Sequence, residues 1–61
     1  MNKQTREKVI ISENYDGWYA YFEDDPDHTY IVEGLADSRR CYFAMKQTVG
    51  NDLDIEVEYR K

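Results

Sequence analysis

Apolar and polar positions alternate along the chain with two different periods, and the alternation predicts four strands and one helix. Residues 8–12, 18–22 and 29–33 are short β-branched or aromatic runs bounded by turn residues, which is typical of strands. In residues 53–59 apolar and acidic side chains alternate strictly, as expected of a strand with one buried face. A helical period follows the third run and places a helix between the third and fourth strands.

Turn residues separate these elements. Asp16-Gly17 supplies residues that tolerate positive φ in the first turn. Asp25-Pro26 suits a type I turn after the second strand, because proline fixes φ at its second position. The third strand is expected to stop at Gly34, with Tyr30 and Val32 on one face and Thr29, Ile31 and Glu33 on the other.

The helix is expected to begin at Asp37 or Ser38, either of which can cap its N-terminus, and to end near Val49 with Gly50 following it. The predicted fold class is therefore α+β, an antiparallel β-sheet in βββαβ order with one helix packed on one face. The predicted organisation is a flexible N-terminal arm at residues 1–7 and a single small domain at residues 8–61.

One short helix covers only one face of such a sheet. Trp18, Ala20 and Phe22 are expected to face the helix, which turns Tyr19 and Tyr21 to the opposite, outer face. That face is a candidate partner-binding surface, with tyrosines beside carboxylates that lie roughly 6.6–6.8 Å apart along a strand. Imitation of nucleic-acid phosphates and a merely solvated polar face are the alternatives. The candidate set is Tyr19, Tyr21, Tyr30, Asp54, Glu56 and Glu58, with Thr29 as the alternative to Tyr30 on the third strand.

The helix offers a second candidate surface. At 100° per residue, one side is expected to dock on the sheet and the other to present Phe43 among basic residues. Such a patch suits binding to a partner or a second subunit, and the alternative is that the aliphatic stems simply cover the ring. The predicted docking side is Cys41, Tyr42, Met45, Thr48 and Val49, and the predicted outward set is Arg39, Arg40, Phe43 and Lys46.

The charge distribution limits the classes of partner. The 61-residue chain has a net charge of −5, and residues 9–38 contain eight acidic residues but no lysine or arginine. This balance argues against direct binding to nucleic acid, which depends on neutralising phosphates. It favours a basic partner, although an acidic surface also keeps a small aromatic-rich protein in solution.

Catalytic and metal-binding chemistry is not indicated. One cysteine, Cys41, and one histidine, His28, form neither an intramolecular disulfide nor a four-ligand zinc site. The acidic turn at residues 23–27 lacks the ligand spacing of a calcium-binding loop. We therefore expect no enzyme activity, no metal and no cofactor. The free cysteine, the absence of a secretory pattern and the lack of an apolar run of about 20 residues favour a cytoplasmic, non-membrane protein.

A topological resemblance to a known family accompanies these patterns. Tyr21-Phe22 leads to Pro26, Gly34 precedes the helix and Ala44 lies within it. In this order of elements, from about residue 8 to residue 59, the chain resembles the partial RNase-H-like domain of HicB-type antitoxins. The resemblance implies a domain that neutralises a ribonuclease. The chain departs from the family's two characteristic stretches with Asp-Asp-Pro-Asp and Gly-Leu-Ala-Asp-Ser, and no site residues are carried over.

The function predicted from the sequence is a small acidic protein-binding module, expected to be a homodimer. Its size, its acid-only segment and its lack of catalytic groups favour an inhibitor, for example a phage-borne antagonist of a host or defence protein that handles nucleic acid. The alternatives are the HicB-like neutralisation of a ribonuclease and a structural or dimerisation subunit that uses the helix face.

Overall fold

The described part of the chain forms one four-stranded sheet with one helix across it. A computed structural model describes residues 7–52 and 54–60. Its elements are β1 (Glu7–Asn14), β2 (Gly17–Phe22), β3 (Tyr30–Leu35), α1 (Ser38–Val49) and β4 (Ile55–Tyr59). The predicted α+β class and the βββαβ order are confirmed. β1 begins at Glu7, within the predicted arm, and the rest of that arm and position 53 lie outside the described residues.

The sheet has the strand order β3-β2-β1-β4 and is mixed. β1 and β2 pair antiparallel, as do β2 and β3, but β4 pairs parallel with β1. The expectation of a purely antiparallel sheet is therefore wrong for the last strand. The chain leaves β3 at one edge, crosses the sheet through α1 and enters β4 at the other edge in the same direction, which is the connection that parallel strands require.

The core lies between α1 and the sheet. Val9, Ile11, Ala20, Cys41 and Met45 are fully buried there, and they form one cluster with half-buried side chains from β2, β3, α1 and β4. Trp18 and Phe22 join this cluster, which confirms the face predicted for them. The predicted docking side of the helix is also confirmed, except at Thr48. That residue is exposed, and its hydroxyl donates a 3.0 Å hydrogen bond to the carbonyl of Ala44.

Both ends of α1 follow the predicted chemistry. Asp37 is the N-cap, and its carboxylate accepts a 2.8 Å hydrogen bond from the backbone N–H of Arg40. Gly50 has φ 89° and donates its N–H to the carbonyl of Lys46 at 2.8 Å. Within the described residues no helix is long and apolar enough to cross a bilayer.

The β2–β3 connection is held by Asp25. The N–H of His28 bonds the Asp25 carbonyl at 3.1 Å, which closes the predicted turn at Pro26. The Asp25 carboxylate accepts bonds from the backbone N–H groups of Asp27 at 3.0 Å and Thr29 at 3.1 Å. His28 takes a positive φ of 51°, so the loop is fixed by Asp25 and not by a glycine.

Register shifts between β2 and β3 overturn the faces predicted for β3. The neighbouring residues Ala20 and Tyr21 of β2 pair with Val32 and Tyr30, which are two positions apart on β3. The Ala20–Val32 pair faces the core, and the Tyr21–Tyr30 pair faces outward. Ile31 and Val32 both pack against the core cluster, which strict alternation forbids. An irregularity of the β-bulge type between these pairs turns the side chains and separates Tyr30 from Val32.

Candidate functional site

Three tyrosines from two strands meet on the outer face of the sheet. The Tyr19 ring stacks on Tyr30 with ring centroids 4.7 Å apart, and the Tyr19 and Tyr21 centroids are 6.0 Å apart. The His28 ring lies 5.2 Å from Tyr21 at the end of the group. These distances fall in the range of favourable aromatic pairs. We call Tyr19, Tyr21 and Tyr30 the tyrosine cluster. Sequence analysis placed Tyr19 and Tyr21 on this face and left Thr29 open as the alternative to Tyr30.

The acidic row expected on β4 is partly neutralised. The Glu58 carboxylate contacts the ammonium group of Lys8 at 3.1 Å and the Arg60 guanidinium at 2.7 Å. Arg60 also reaches Glu23, the residue after β2, at 3.5 Å. Glu58 therefore offers little unpaired charge to a partner. The alternative in which the β4 carboxylates imitate phosphates has one free charge fewer.

These contacts also change the proton affinity of the groups. Hydrogen bonds from Arg60 and then Lys8 lower the pKa of Glu58 from 4.5 to about 2. The hydrogen bond to Glu58 raises the pKa of Lys8, and the same carboxylate raises the pKa of Arg60. Because the pKa of Glu58 is lower in the folded state, its stabilising contribution is complete above its ordinary pKa of 4.5. It is lost as pH falls toward about 2.

Removing the arginine should reverse part of this shift in the pKa of Glu58, since the contact with Lys8 remains. In Arg60→Gln, we expect the pKa of the Glu58 carboxyl to rise from about 2 toward 4.5, because the first cause of the shift has been removed. A carboxyl-detected NMR titration of both proteins measures the two midpoints. Arg39→Gln on the helix is the matched control and should leave the Glu58 midpoint unchanged. An unchanged midpoint in Arg60→Gln would contradict the ion cluster.

Ile10 is fully buried although it lies on the outer face. Its neighbours Val9 and Ile11 join the core cluster, so the alternation of β1 directs Ile10 away from the helix. Ile10 pairs in register with Tyr21 on β2 and with Glu58 on β4. The contacts of Arg60 with Glu58 and Glu23 join residues on either side of β1. The side chains on the outer face therefore bury Ile10 and form a second packed layer, on the side of the sheet opposite α1.

The acidic loop after β2 adjoins the tyrosine cluster. Glu23, Asp24 and Asp27 are exposed, whereas Asp25 is half-buried by its bonds within the loop. No group of three or more histidine, cysteine or acidic side chains in the described part of the chain is arranged to hold a metal ion. The loop thus supplies negative charge at one end of the outer face and gives no sign of a coordination site.

The helix face presents Phe43 as predicted. Its side chain is 59% exposed and meets Tyr42 edge-on, with centroids 5.6 Å apart. Arg39 and Arg40 are exposed, and the Arg40 guanidinium pairs with Asp37 at 3.6 Å. An open depression of about 360 Å³ beside Phe43 is lined by Phe43, Lys46, Gln47, Gly50 and Asn51.

The structure unites only part of the predicted outer-face set. Glu56 and Glu58 belong to β4, which is separated from the tyrosines of β2 by β1, and Asp54 is an exposed residue just before β4. Sequence analysis missed Lys8, Ile10 and Arg60 on this face. The run of three apolar residues at positions 9–11 was the available signal, since a strand with one solvated face would alternate there.

Cys41 lies in the core between α1 and the sheet. It is fully buried, and desolvation raises the pKa of its thiol above the ordinary 9.0. A protonated, buried thiol is a poor nucleophile.

Comparison of the chain with protein-family models, with curated proteins and with solved structures finds no match in any of the three.

Proposed function

We propose that the chain is a non-enzymatic protein-binding module that docks through the outer face of its sheet. The observation that carries this proposal is the tyrosine cluster, whose rings stack on a face that α1 leaves uncovered. Tyrosine is enriched at protein interfaces because it offers a large apolar area and a hydroxyl at low entropic cost. Stacking already restricts these rings, so binding would freeze less side-chain freedom.

The charge beside the cluster favours a basic partner. The acidic loop that follows β2 exposes Asp24 and Asp27 at one end of the outer face, whereas Glu23 is paired with Arg60. Residues 9–38 contain no lysine or arginine, and the outer-face cations Lys8 and Arg60 are both paired with Glu58. Complementary charge of this kind accelerates encounter and rejects acidic competitors. A protein that handles nucleic acid has the basic surface required, so the proposed role is that of an inhibitor, for example a phage-borne antagonist of a host or defence protein.

Two finer points belong to the same proposal. A buried cysteine without a disulfide suits a reducing compartment, so we place the protein in the cytoplasm.

The HicB-like alternative, neutralisation of a ribonuclease, retains the βββαβ element order as its support. It uses the same acidic surface and differs only in the target.

The helix face is the second candidate surface. Phe43 is exposed beside the 360 Å³ depression, with Lys46 at its rim and Arg39 on the same helix. An exposed ring next to a cavity and basic side chains is the composition of an interface anchor. This surface would select an acidic partner or serve a structural subunit.

Matched aromatic truncations distinguish the two faces. Tyr30→Ala and Phe43→Ala remove rings that are 41% and 59% exposed, so neither disturbs a fully buried core residue. Immobilised wild-type and variant proteins are incubated with an extract of the native host, and the protein enriched by the wild type is quantified. We expect Tyr30→Ala to lose at least roughly tenfold in captured target and Phe43→Ala to retain it. The reverse pattern would assign binding to the helix face.

A further inference from the structure

The open edge of β4 carries main-chain groups that are directed away from the sheet. β4 is the last strand in the order, and two bonds fix its orientation on β1. The Glu7 N–H bonds the Asp54 carbonyl at 3.3 Å, and the Arg60 N–H bonds the Ile11 carbonyl at 2.8 Å. Successive residues direct their main-chain groups to opposite sides of a strand. The N–H and C=O groups of Val57 and Tyr59 therefore point to the edge.

The helix does not cover this edge. α1 packs over β3, β2 and β1, and among the described residues none of its Cα atoms lies within 8 Å of a Cα atom of β4. Ile55 and Val57 are half-exposed at the margin of the core, and Tyr59 is 55% exposed. An apolar stripe thus runs beside the edge on the helix side of β4.

The two edges of the sheet differ in their protection against pairing. β3 contains Gly34 and is paired to β2 through register shifts, which twist an edge away from a partner strand. Residues 55–59 contain no proline, glycine or lysine and pair with β1 in unbroken register. An edge with these properties is a template for another strand.

We propose that β4 is a self-association edge, on which the β4 strand of a second copy pairs antiparallel about a two-fold axis at Val57. This register joins the two sheets into one. Val57 bonds Val57 of the second copy in both directions, and Tyr59 lies beside Ile55 of the second copy. A two-fold axis suits the edge because each copy offers the same groups in reverse order.

Charges on the outer face fit this register. Arg60 lies beside Asp54 of the second copy, which brings opposite charges together at both ends of the shared strand pair. Glu56 lies opposite Glu58 of the second copy, and that carboxylate already carries Lys8 and Arg60, which offset the repulsion. Association would also compensate for the small core of a short chain. The interface leaves the tyrosine cluster uncovered and does not depend on the proposed function.

Amide exchange tests the proposal without any substitution. In a monomer the amides of Val57 and Tyr59 face solvent, whereas those of Glu56 and Glu58 are bonded to β1 and act as internal controls. We expect wild-type protein to sediment as a dimer and to show slow exchange at all four amides, with at least roughly tenfold faster exchange at Val57 and Tyr59 on dilution to monomer. A monomer at high concentration, with rapid exchange at those two amides, would overturn the proposal.

Paired substitutions locate the interface. Tyr59→Lys places a charge on the edge stripe, and Tyr15→Lys makes the same change at the fully exposed tip of the first hairpin. We expect Tyr59→Lys to raise the dimer dissociation constant at least roughly tenfold. Tyr15→Lys and Phe43→Ala should leave it unchanged. A dimer lost in Phe43→Ala and kept in Tyr59→Lys would assign self-association to the helix face.

A cross-link tests the register directly. In the proposed register the two Val57 Cα atoms lie about 5.5 Å apart, which is within the span of a disulfide. Val57→Cys should form a covalent dimer under mild oxidation, and Tyr15→Cys is the control for random collision. The buried native Cys41 is present in both proteins. Equal rates of cross-linking in the two variants would contradict the register.

Discussion

Ile10→Ala is expected to lower the free energy of unfolding by about 2–5 kcal/mol, the cost of truncating a buried isoleucine. This is a large effect for a strand residue on the face of the sheet opposite α1. Its cause is that Ile10 is fully buried, between strands that bring Tyr21 and Glu58 alongside it. Urea unfolding followed by circular dichroism measures the change, with the slope of the transition monitored for altered exposure in the unfolded state.

Two further variants calibrate that result. Ile10→Val removes one methylene and should cost about 0.5–1.5 kcal/mol. Phe43→Ala removes a larger side chain from an exposed position and should change the free energy of unfolding by no more than about 0.5 kcal/mol. If Ile10→Ala cost no more than Phe43→Ala, the outer face would not be a packed layer.

Gly17→Ala is expected to cost about 3 kcal/mol of the free energy of unfolding, for two separate reasons. Gly17 has φ 125°, which side chains other than glycine rarely adopt, and this strain costs of order 1–3 kcal/mol. An added Cβ would also lie 2.7 Å from the Leu35 carbonyl oxygen, which is backbone of the neighbouring strand. The strand pair must therefore separate at this end to accept the methyl group. Thermal and urea unfolding of purified protein measure the loss.

Gly34→Ala separates the two contributions. Gly34 has φ 75°, but a Cβ there would meet no atom within 4 Å. It therefore carries the conformational penalty alone, about 1 kcal/mol. Equal losses at Gly17 and Gly34 would show that the close approach of Leu35 is unimportant. A domain of this size has a total stability of only roughly 3–9 kcal/mol, so the expected difference is readily measured.

The packed outer face bears on how binding would work. Tyr21, at one end of the tyrosine cluster, pairs in register with the fully buried Ile10, and the rings of the cluster stack on one another across β2 and β3. Arg60 reaches across β1 to Glu23 at the end of β2. A preorganised surface of this kind loses less entropy when a partner docks. It also means that substitutions at Tyr19 or Tyr21 are expected to affect stability as well as binding, and the exposed Tyr30 is the better probe of binding alone.

Local sequence determined the elements and most of their ends. The β-branched runs, the Asp25-Pro26 turn, the Asp37 cap and Gly50 act on neighbouring residues through hydrogen bonds and allowed backbone angles, and these are found as predicted. The ends of two strands differ, since β3 continues through Gly34 to Leu35 and β4 begins at Ile55. The division of β2 into Trp18, Ala20 and Phe22 toward the helix and two tyrosines outward follows from the same local rule of alternation. Tyr19 and Tyr21 could therefore be assigned to the outer face without a structure, whereas the outward face of Tyr30 depends on the register shifts between β2 and β3.

Only the tertiary structure decided which strands meet and what each face carries. The parallel pairing of β4 with β1, the register shifts along β3 and the burial of Ile10 all depend on contacts between residues far apart in sequence. Arg60 and Glu23 are 37 positions apart, and no periodicity connects them. Alternation assigns a residue to a face, but it contains no information about the neighbouring strand that neutralises a charge or covers an isoleucine.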